Sequence, residues 1–492
     1  MKLTKYNLEI AIFACGAIVM IFELVGSRIL GPYFGTSIFV WTSLIGIILG
    51  SLSLGYYLGG KLADKKPNIN TLSIIILLAA LFIGLTIFQK DILLIFLQNN
   101  IKDVKTSAVI ASLILFLPPS LLLGIVSPYA AKLKLNNLNS SGVTIGNLYA
   151  ISTAGSIFGT FFSGFYLIPH FGTNKLLMIL SLSLIIISII LSSKNLIKTK
   201  LTIFIIIFLN LSTLSLTSNN NNQKRLFLDT DTSYNRVWIS DNQAGNKRTL
   251  SINNEHSSAM FLNSEELVYE YTKYYHLARH FKPDFKETLM LGGAGYSYPK
   301  DFLSKYPEAK IDVVEIDPQV TELAKQYFNL KENPNLKIYH EDGRVYLNKT
   351  NKKYDVIFGD AFSSHFSIPY QLTTKEAVQK KYNILNDEGI VILNIISSIN
   401  GEQGKFLRAE YATYQNVFPQ VYLFPVRNSH NDKEVQNIIL VALKSDKKIK
   451  LESTDEEIQK YLTHLWIGKI EESMPVLTDD FAPVDYYISK TI

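Results

Sequence analysis

The sequence has a single cysteine, Cys15, and it lies inside an apolar run. That count excludes an intramolecular disulfide framework and a thiolate metal cluster. Basic residues outnumber acidic ones, 48 to 42, for a net charge of +6. No Lys/Arg block of the length that suits a polyanion is present, so no nucleic-acid partner is expected. The first apolar stretch, 8–30, lacks a clear small-residue cleavage site after it. It also exceeds the roughly 7–15 residues of a secretory signal core and reads as a retained membrane helix. Charge is scarce before Thr217, and long apolar runs are scarce after Asn222. Averaged composition hides this division.

A spanning helix needs about 20 mainly apolar residues. Segments 8–30, 38–60, 71–89, 107–130, 144–168, 175–193 and 201–217 meet that need. They predict a polytopic α-helical domain over 1–217 with about seven spans, the partner of a lipid bilayer. Ile92–Leu97 reads as a short interfacial or re-entrant piece. Gly46, Gly50, Gly55 and Gly59 in the second span, with Gly155 and Gly159 in the fifth, predict close helix packing. Glu23 and Arg28 are ionisable groups in an apolar segment, where pairing with each other is the favoured arrangement. Lysines after the second, fourth and sixth spans place those loops and the N-terminus in the cytoplasm. Seven spans would then put the C-terminal part outside, whereas a nucleotide-using domain is expected in the cytoplasm. Either the seventh segment does not span, or Ile92–Leu97 belongs to another crossing, or the charge rule fails.

After a polar linker at 218–224 the periodicity changes to strands. Arg225–Asp241 and Arg248–Leu262 alternate polar and apolar residues, predicting a small β-domain over 225–263. A helix is expected at about Ser264–Phe281. Strands at Thr288–Leu291, Ile311–Ile316, Leu336–His340, Tyr354–Asp360 and Gly389–Ile396 then alternate with helices. That succession predicts a mainly parallel, doubly wound Rossmann-like sheet over 264–492.

The chemistry concentrates at the strand ends. Thr288–Leu291 runs into Gly292, Gly293, Ala294 and Gly295 and then a helix, so the backbone can approach a ligand closely. Glu315 ends the next strand about 20 residues further on, where a carboxylate can accept both ribose hydroxyls. Asp342 and Gly343 follow the third strand, at a position suited to an adenine edge. Asp360 ends the fourth. Together they predict a nucleoside site. A dinucleotide fold fits less well, because the third glycine of its fingerprint is missing. His276 and His280 lie one helical turn apart, as zinc ligands can. Leu277 stands where a zinc-protease glutamate would, and no third ligand is clear, so no metal is expected. The aromatic run Tyr269, Tyr271, Tyr274 and Tyr275 covers too much of a helix to be one face. Asp355 reads as a strand support or an outer neighbour of the site.

These pieces resemble the spermidine synthases, the polyamine aminopropyltransferases, and the whole chain resembles their membrane-fused relatives. The resemblance is carried by Ser233-Tyr-Asn-Arg236, Glu265-Glu-Leu-Val-Tyr269, Leu291–Gly295, Val314-Glu-Ile-Asp-Pro318 and Glu341-Asp-Gly343. It continues through Tyr354-Asp-Val-Ile-Phe-Gly-Asp360, Asp479-Asp-Phe-Ala-Pro-Val484 and, in the apolar half, Glu23-Leu-Val-Gly-Ser-Arg-Ile-Leu-Gly-Pro-Tyr-Phe-Gly35. It implies an S-adenosylmethionine-type transferase fold with no permanently bound cofactor and decarboxylated S-adenosylmethionine as cosubstrate. Gly292, Gly293, Gly295, Glu315, Asp317, Asp342 and Gly343 would hold the nucleoside, and Asp360 would be the general base. Tyr234 and Tyr269 would place a polyamine or related small amine, with Ser363 and His365 as further candidates on the substrate side; His365 reads equally as an alternative proton acceptor or as a structural loop histidine. The resemblance also implies a homodimer. Gly295 and Tyr296 stand where the family carries Asp-Gly, and Ser363 stands where it carries a second aspartate. Rival readings are a methyltransferase using S-adenosylmethionine and a non-catalytic nucleotide-binding transporter or sensor.

Overall fold

The computed structural model describes residues 6–101, 103–135, 141–192, 225–253, 255–361, 368–471 and 474–489. It separates into two compact units, Met1–Asn222 and Gln223–Ile492.

The first unit is helical: α1 Asn7–Phe34, α2 Ile38–Lys65, α3 Ile69–Asn100, α4 Val104–Leu115, α5 Leu117–Lys134, α6 Ser141–Phe162 and α7 Thr173–Ile190. Five helices among the described residues are long and apolar enough to cross a membrane, counting α6 with its extension to His170. The expected span at 107–130 is a pair, α4 and α5, bent by 52°. Pro118 and Pro119 open α5 and cannot donate to the preceding turn, which breaks the ladder at Phe116. With that pair counted as one crossing there are up to six spans. The segment at 201–217 and the linker lie outside the described residues. Ile92–Leu97 is not a separate interfacial piece; it continues α3 as far as Asn100. Gly55 and Gly59 on α2 lie against α5 at Leu121, Gly124 and Ile125, and Gly155 and Gly159 on α6 lie against α1 at Phe13 and Ala17, too close for a Cβ. Gly46 and Gly50 meet no neighbour, so the packing expectation holds for four of the six glycines. Glu23 and Arg28 are both half-buried on α1.

The second unit opens with a four-stranded antiparallel sheet, β1 Arg225–Asp231, β2 Arg236–Asp241, β3 Lys247–Ile252 and β4 Glu255–Phe261. The helix expected from Ser264 starts later. Leu267 makes a bridge to Met260, and helical turns begin at Glu270 and run through a 3₁₀ segment, Tyr274–Leu277, to Phe281. The main sheet has the order β10-β11-β9-β8-β5-β6-β7. Its strands are β5 Glu287–Leu291, β6 Lys310–Val314, β7 Leu336–Tyr339, β8 Tyr354–Gly359, β9 Leu385–Ser397, β10 Gln420–Pro425 and β11 Gln436–Leu443. β9-β8-β5-β6-β7 is parallel, and β10 and β11 extend it antiparallel at one edge. Leu289, Ile357 and Val391 face one apolar layer and Met290, Phe358 and Ile392 the other, as strands covered on both sides require.

From β5 the chain winds outward to β7, then crosses back to start β8 on the other side of β5. The reversal makes the carboxyl ends of β5 and β8 a topological switch point, where a crevice opens in sheets of this kind.

Candidate active site

At that point Leu291 leads into the glycine turn. Gly292 has φ +96°, and a Cβ there would run into the Asp360 carbonyl. The Asp360 N–H in turn donates to the Leu291 carbonyl at 2.9 Å. A residue without a side chain is therefore needed for the two strand ends to touch. Ala294 and Tyr296 hold positive φ without being glycine, 44° and 54°, a conformation retained only where packing over-determines it. Tyr296 is fully buried, and its hydroxyl lies 2.7 Å from Thr321 Oγ1.

The N–H groups of this turn are all used within the protein. Gly292 donates to the Val314 carbonyl, and Gly293 and Ala294 both donate to Glu315 Oε2 at 2.9 Å. Gly295 donates to Ser258 Oγ on β4, and Tyr296 to the Gly293 carbonyl. No N–H from 292 to 296 is left over for an anion.

Glu315 is 8% exposed, and its Oε1 also accepts from the Asp317 N–H. Burial pushes its carboxyl above the ordinary range, against the three backbone donors that favour the charge. Of roughly four acceptor positions on a carboxylate, two are committed to the glycine turn and a third to the Asp317 N–H. Asp317 faces inward rather than toward the crevice. It is fully buried, caps the helix Pro318–Tyr327 through the Gln319 N–H, and accepts from Thr232 of the β1–β2 turn. It joins the two sheets, and direct ligand contact is not its place. Asp342 caps the helix Gly343–Lys349 through the N–H groups of Arg344 and Val345. Gly343 lies against Leu372 and Leu291, which brings this third strand end beside the glycine turn. Arg344 is held by Asp479 at 2.6 Å, so the Asp479 motif fixes the first turn of that helix.

Asp360 stands at the end of β8, partly exposed at the crevice. Tyr271 donates to its Oδ2 and Asn394 of β9 to its Oδ1, each at 3.1 Å. Tyr275 is a third neighbour whose hydroxyl completes no hydrogen bond. Burial pushes the Asp360 carboxyl up to about 6, and the donors from Asn394 and Tyr271 temper that rise. Asn394 accepts from Asn437 of β11 at 3.0 Å. Tyr269 stacks on Tyr271 with ring centres 6.0 Å apart, and burial pushes its phenol up to about 12. Of the tyrosine run, Tyr271 reaches the carboxylate, while Tyr274 and Tyr275 are core residues. Tyr234 sits half-exposed in the β1–β2 turn. Ser363 and His365 lie outside the described residues.

The remaining candidates are structural. His276 is buried between Asp301 and Glu457, at 2.7 and 2.8 Å. His280 bonds the Lys450 carbonyl. Among the described residues no group of three His, Cys, Asp or Glu side chains is arranged to hold a metal. Asp355 accepts the N–H groups of Lys286 and Glu287 and the Asn386 amide, tying down the start of β5, away from the crevice. Sequence reasoning missed Asn394, Asn437 and Ser258, whose side chains gain meaning only through neighbouring strands.

This doubly wound sheet, with a protein-capped glycine turn and a half-buried acid at its switch point, is that of a transferase domain. Residues 269–452 match the family described as Spermine/spermidine synthase domain. The chain is 28% identical over 218 residues to a polyamine aminopropyltransferase of Vibrio vulnificus, covering 42% of this chain and 71% of that protein. It is also 28% identical over 193 residues to the eEF1A lysine and N-terminal methyltransferase of Xenopus laevis, covering 37% of this chain but only 27% of that protein. Among solved structures, a probable spermidine synthase from Corynebacterium glutamicum aligns at 23% identity and a TM-score of 0.42, covering 50% of this chain and 88% of that one.

Proposed function

We propose that this chain is a membrane-bound aminopropyltransferase, moving an aminopropyl group from decarboxylated S-adenosylmethionine to putrescine or a related primary amine. The observation that carries the reading is Asp360, an enclosed carboxyl with a raised proton affinity and two donors fixing it at the switch point. In the reaction the amine nitrogen attacks the methylene beside the sulfonium. The C–S bond breaks with its electron pair going to sulfur, which releases methylthioadenosine. The nitrogen loses a proton, and Asp360 is the acceptor. Enclosure that raises the carboxyl also lowers a bound ammonium, narrowing the gap the proton must cross. Sulfonium is already a good leaving group, so the protein's contribution is mainly positioning.

The capped glycine turn supports a donor without a carboxylate, since it has no N–H to spare for one. Similarity to a lysine methyltransferase favours a second reading, methyl transfer from S-adenosylmethionine to an amine. The apolar helices would anchor the enzyme in a bilayer, and a homodimer is the expected assembly. Six crossings would return the chain to the side of the N-terminus, cytoplasmic by the charge rule, whereas a span at 201–217 would reverse it.

Product analysis by mass spectrometry tests the reading. Full-length protein would be incubated with putrescine and either donor. Methylthioadenosine together with spermidine is the expected result. A methylated amine with S-adenosylhomocysteine would replace it by the second reading, and nucleotide binding without either product would overturn both.

A further inference from the structure

Asp360 depends on a carboxamide whose orientation is not self-determined. Asn394 offers a donor and an acceptor at nearly the same place, and half a turn about its last bond exchanges them. Turned the wrong way, its Oδ1 would face a carboxylate oxygen, two acceptors with no proton between them. Asn394 is 2% exposed, so bulk water does not hold it in place. The neighbouring strand does. In the antiparallel register Asn394 lies opposite Ile439 and Asn437 opposite Ile396, which makes the two asparagines diagonal neighbours on one face. Asn437 Nδ2 donates to Asn394 Oδ1 at 3.0 Å, and Asn394 Nδ2 donates to Asp360 Oδ1 at 3.1 Å. An ionised carboxylate can only accept, so the direction of both bonds follows from Asp360 outward.

We infer that Asn437 is a positioning residue for the base: acting through Asn394, it holds an N–H toward Asp360 and so favours the ionised form that can accept a proton. Asn437 is half-buried on β11, and its side-chain amide is linked to Asp360 by way of Asn394. Among the described residues, the titratable groups bearing on Asp360 are Tyr271 and Tyr275. Burial raises both phenols well above their ordinary range, which keeps them neutral, and of the two Tyr271 donates to the carboxylate. The relay from β11 is therefore the part of the surround that a neutral substitution can reverse without touching the base. The inference rests on Asp360 being the base of the proposed transfer.

The test is an infrared difference titration of the full-length protein in nanodiscs, following the carboxyl C=O band that Asp360→Asn abolishes. Asn394→Leu should raise the midpoint of that band. Asn437→Leu should raise it by about one pH unit, a tenfold change in proton affinity, as expected for weakening a hydrogen bond to a charged group. The double variant should match Asn394→Leu alone, because the outer residue acts only through the inner one. Asn437→Ser, which shortens the donor without adding apolar bulk, should shift the band in the same direction and serves if the leucine variant does not fold. An unchanged midpoint in Asn437→Leu and Asn437→Ser, or additive shifts in the double variant, would overturn the inference. The titration needs no turnover. Failure to detect alkyl transfer would count against the reaction, while the midpoints would still decide the relay.

Discussion

Replacing Asp360 with asparagine keeps the size of the side chain and removes its capacity to accept a proton. With the carboxyl pushed up to about 6, about 99% is ionised at pH 8 and about a tenth at pH 5. Turnover through this base should fall about tenfold per pH unit below 6 and level off above it. Loss of a general base costs roughly 10²–10⁴ in rate, so Asp360→Asn should lower kcat by at least a hundredfold. The nucleoside Kd should change less than threefold, because Glu315, Asp342 and the glycine turn are untouched. A second consequence concerns stability. The folded value lies above the unfolded one of about 3.9. The stability linked to the protonated form is therefore fully present below about pH 4 and is lost as pH rises through about 6. A two-unit shift corresponds to at most about 3 kcal/mol, and partial exposure reduces that. Asp360→Asn should thus be more stable than the native chain at pH 8 by about 1 kcal/mol, with the difference vanishing near pH 4. The assays are product mass spectrometry across pH, nucleoside calorimetry and thermal unfolding at both pH values. Turnover within threefold of native, or an acid limb near pH 4, would refute the assignment.

Glu315→Gln would turn an amide N–H₂ toward donors that now share one carboxylate. Thermal unfolding should show a loss of about 2 kcal/mol, and calorimetry at least a tenfold weaker nucleoside affinity. Gly292→Ala adds a Cβ at φ +96° against the Asp360 carbonyl; a cost of about 1–3 kcal/mol should appear on unfolding, with turnover falling further than stability. In the other unit, Gly159→Leu would drive a side chain into the α1 backbone at Ala17. It should lower the melting temperature of the full chain in detergent, whereas Gly46→Leu, where no neighbour is met, should not.

What the sequence could determine was local. Apolar runs longer than a bilayer is thick marked the helices, because hydrocarbon forces every backbone group into internal hydrogen bonds. A buried strand ending in Gly292–Gly295, with acids after the following strands, marked the crevice, because parallel strands deliver their carboxyl ends to one edge. Two errors were also local: Ile92–Leu97 read as a separate interfacial piece whereas it continues α3, and the bend at Phe116 lay hidden within one apolar run. Tertiary structure decided what Glu315, Asp317 and Asp360 touch. Glu315 accepts from two N–H groups of the glycine turn and one of Asp317, and Asp317 is buried as a cap against Thr232. Asp360 draws its donors from Tyr271, about ninety residues before it, and from Asn394 on the next strand, itself oriented by Asn437 on an antiparallel strand. No spacing rule announces such contacts, since sheet order rather than chain order makes these residues neighbours. The proton affinity of Asp360 follows from that enclosure: a carboxylate has no fixed strength until its surroundings set the cost of its charge.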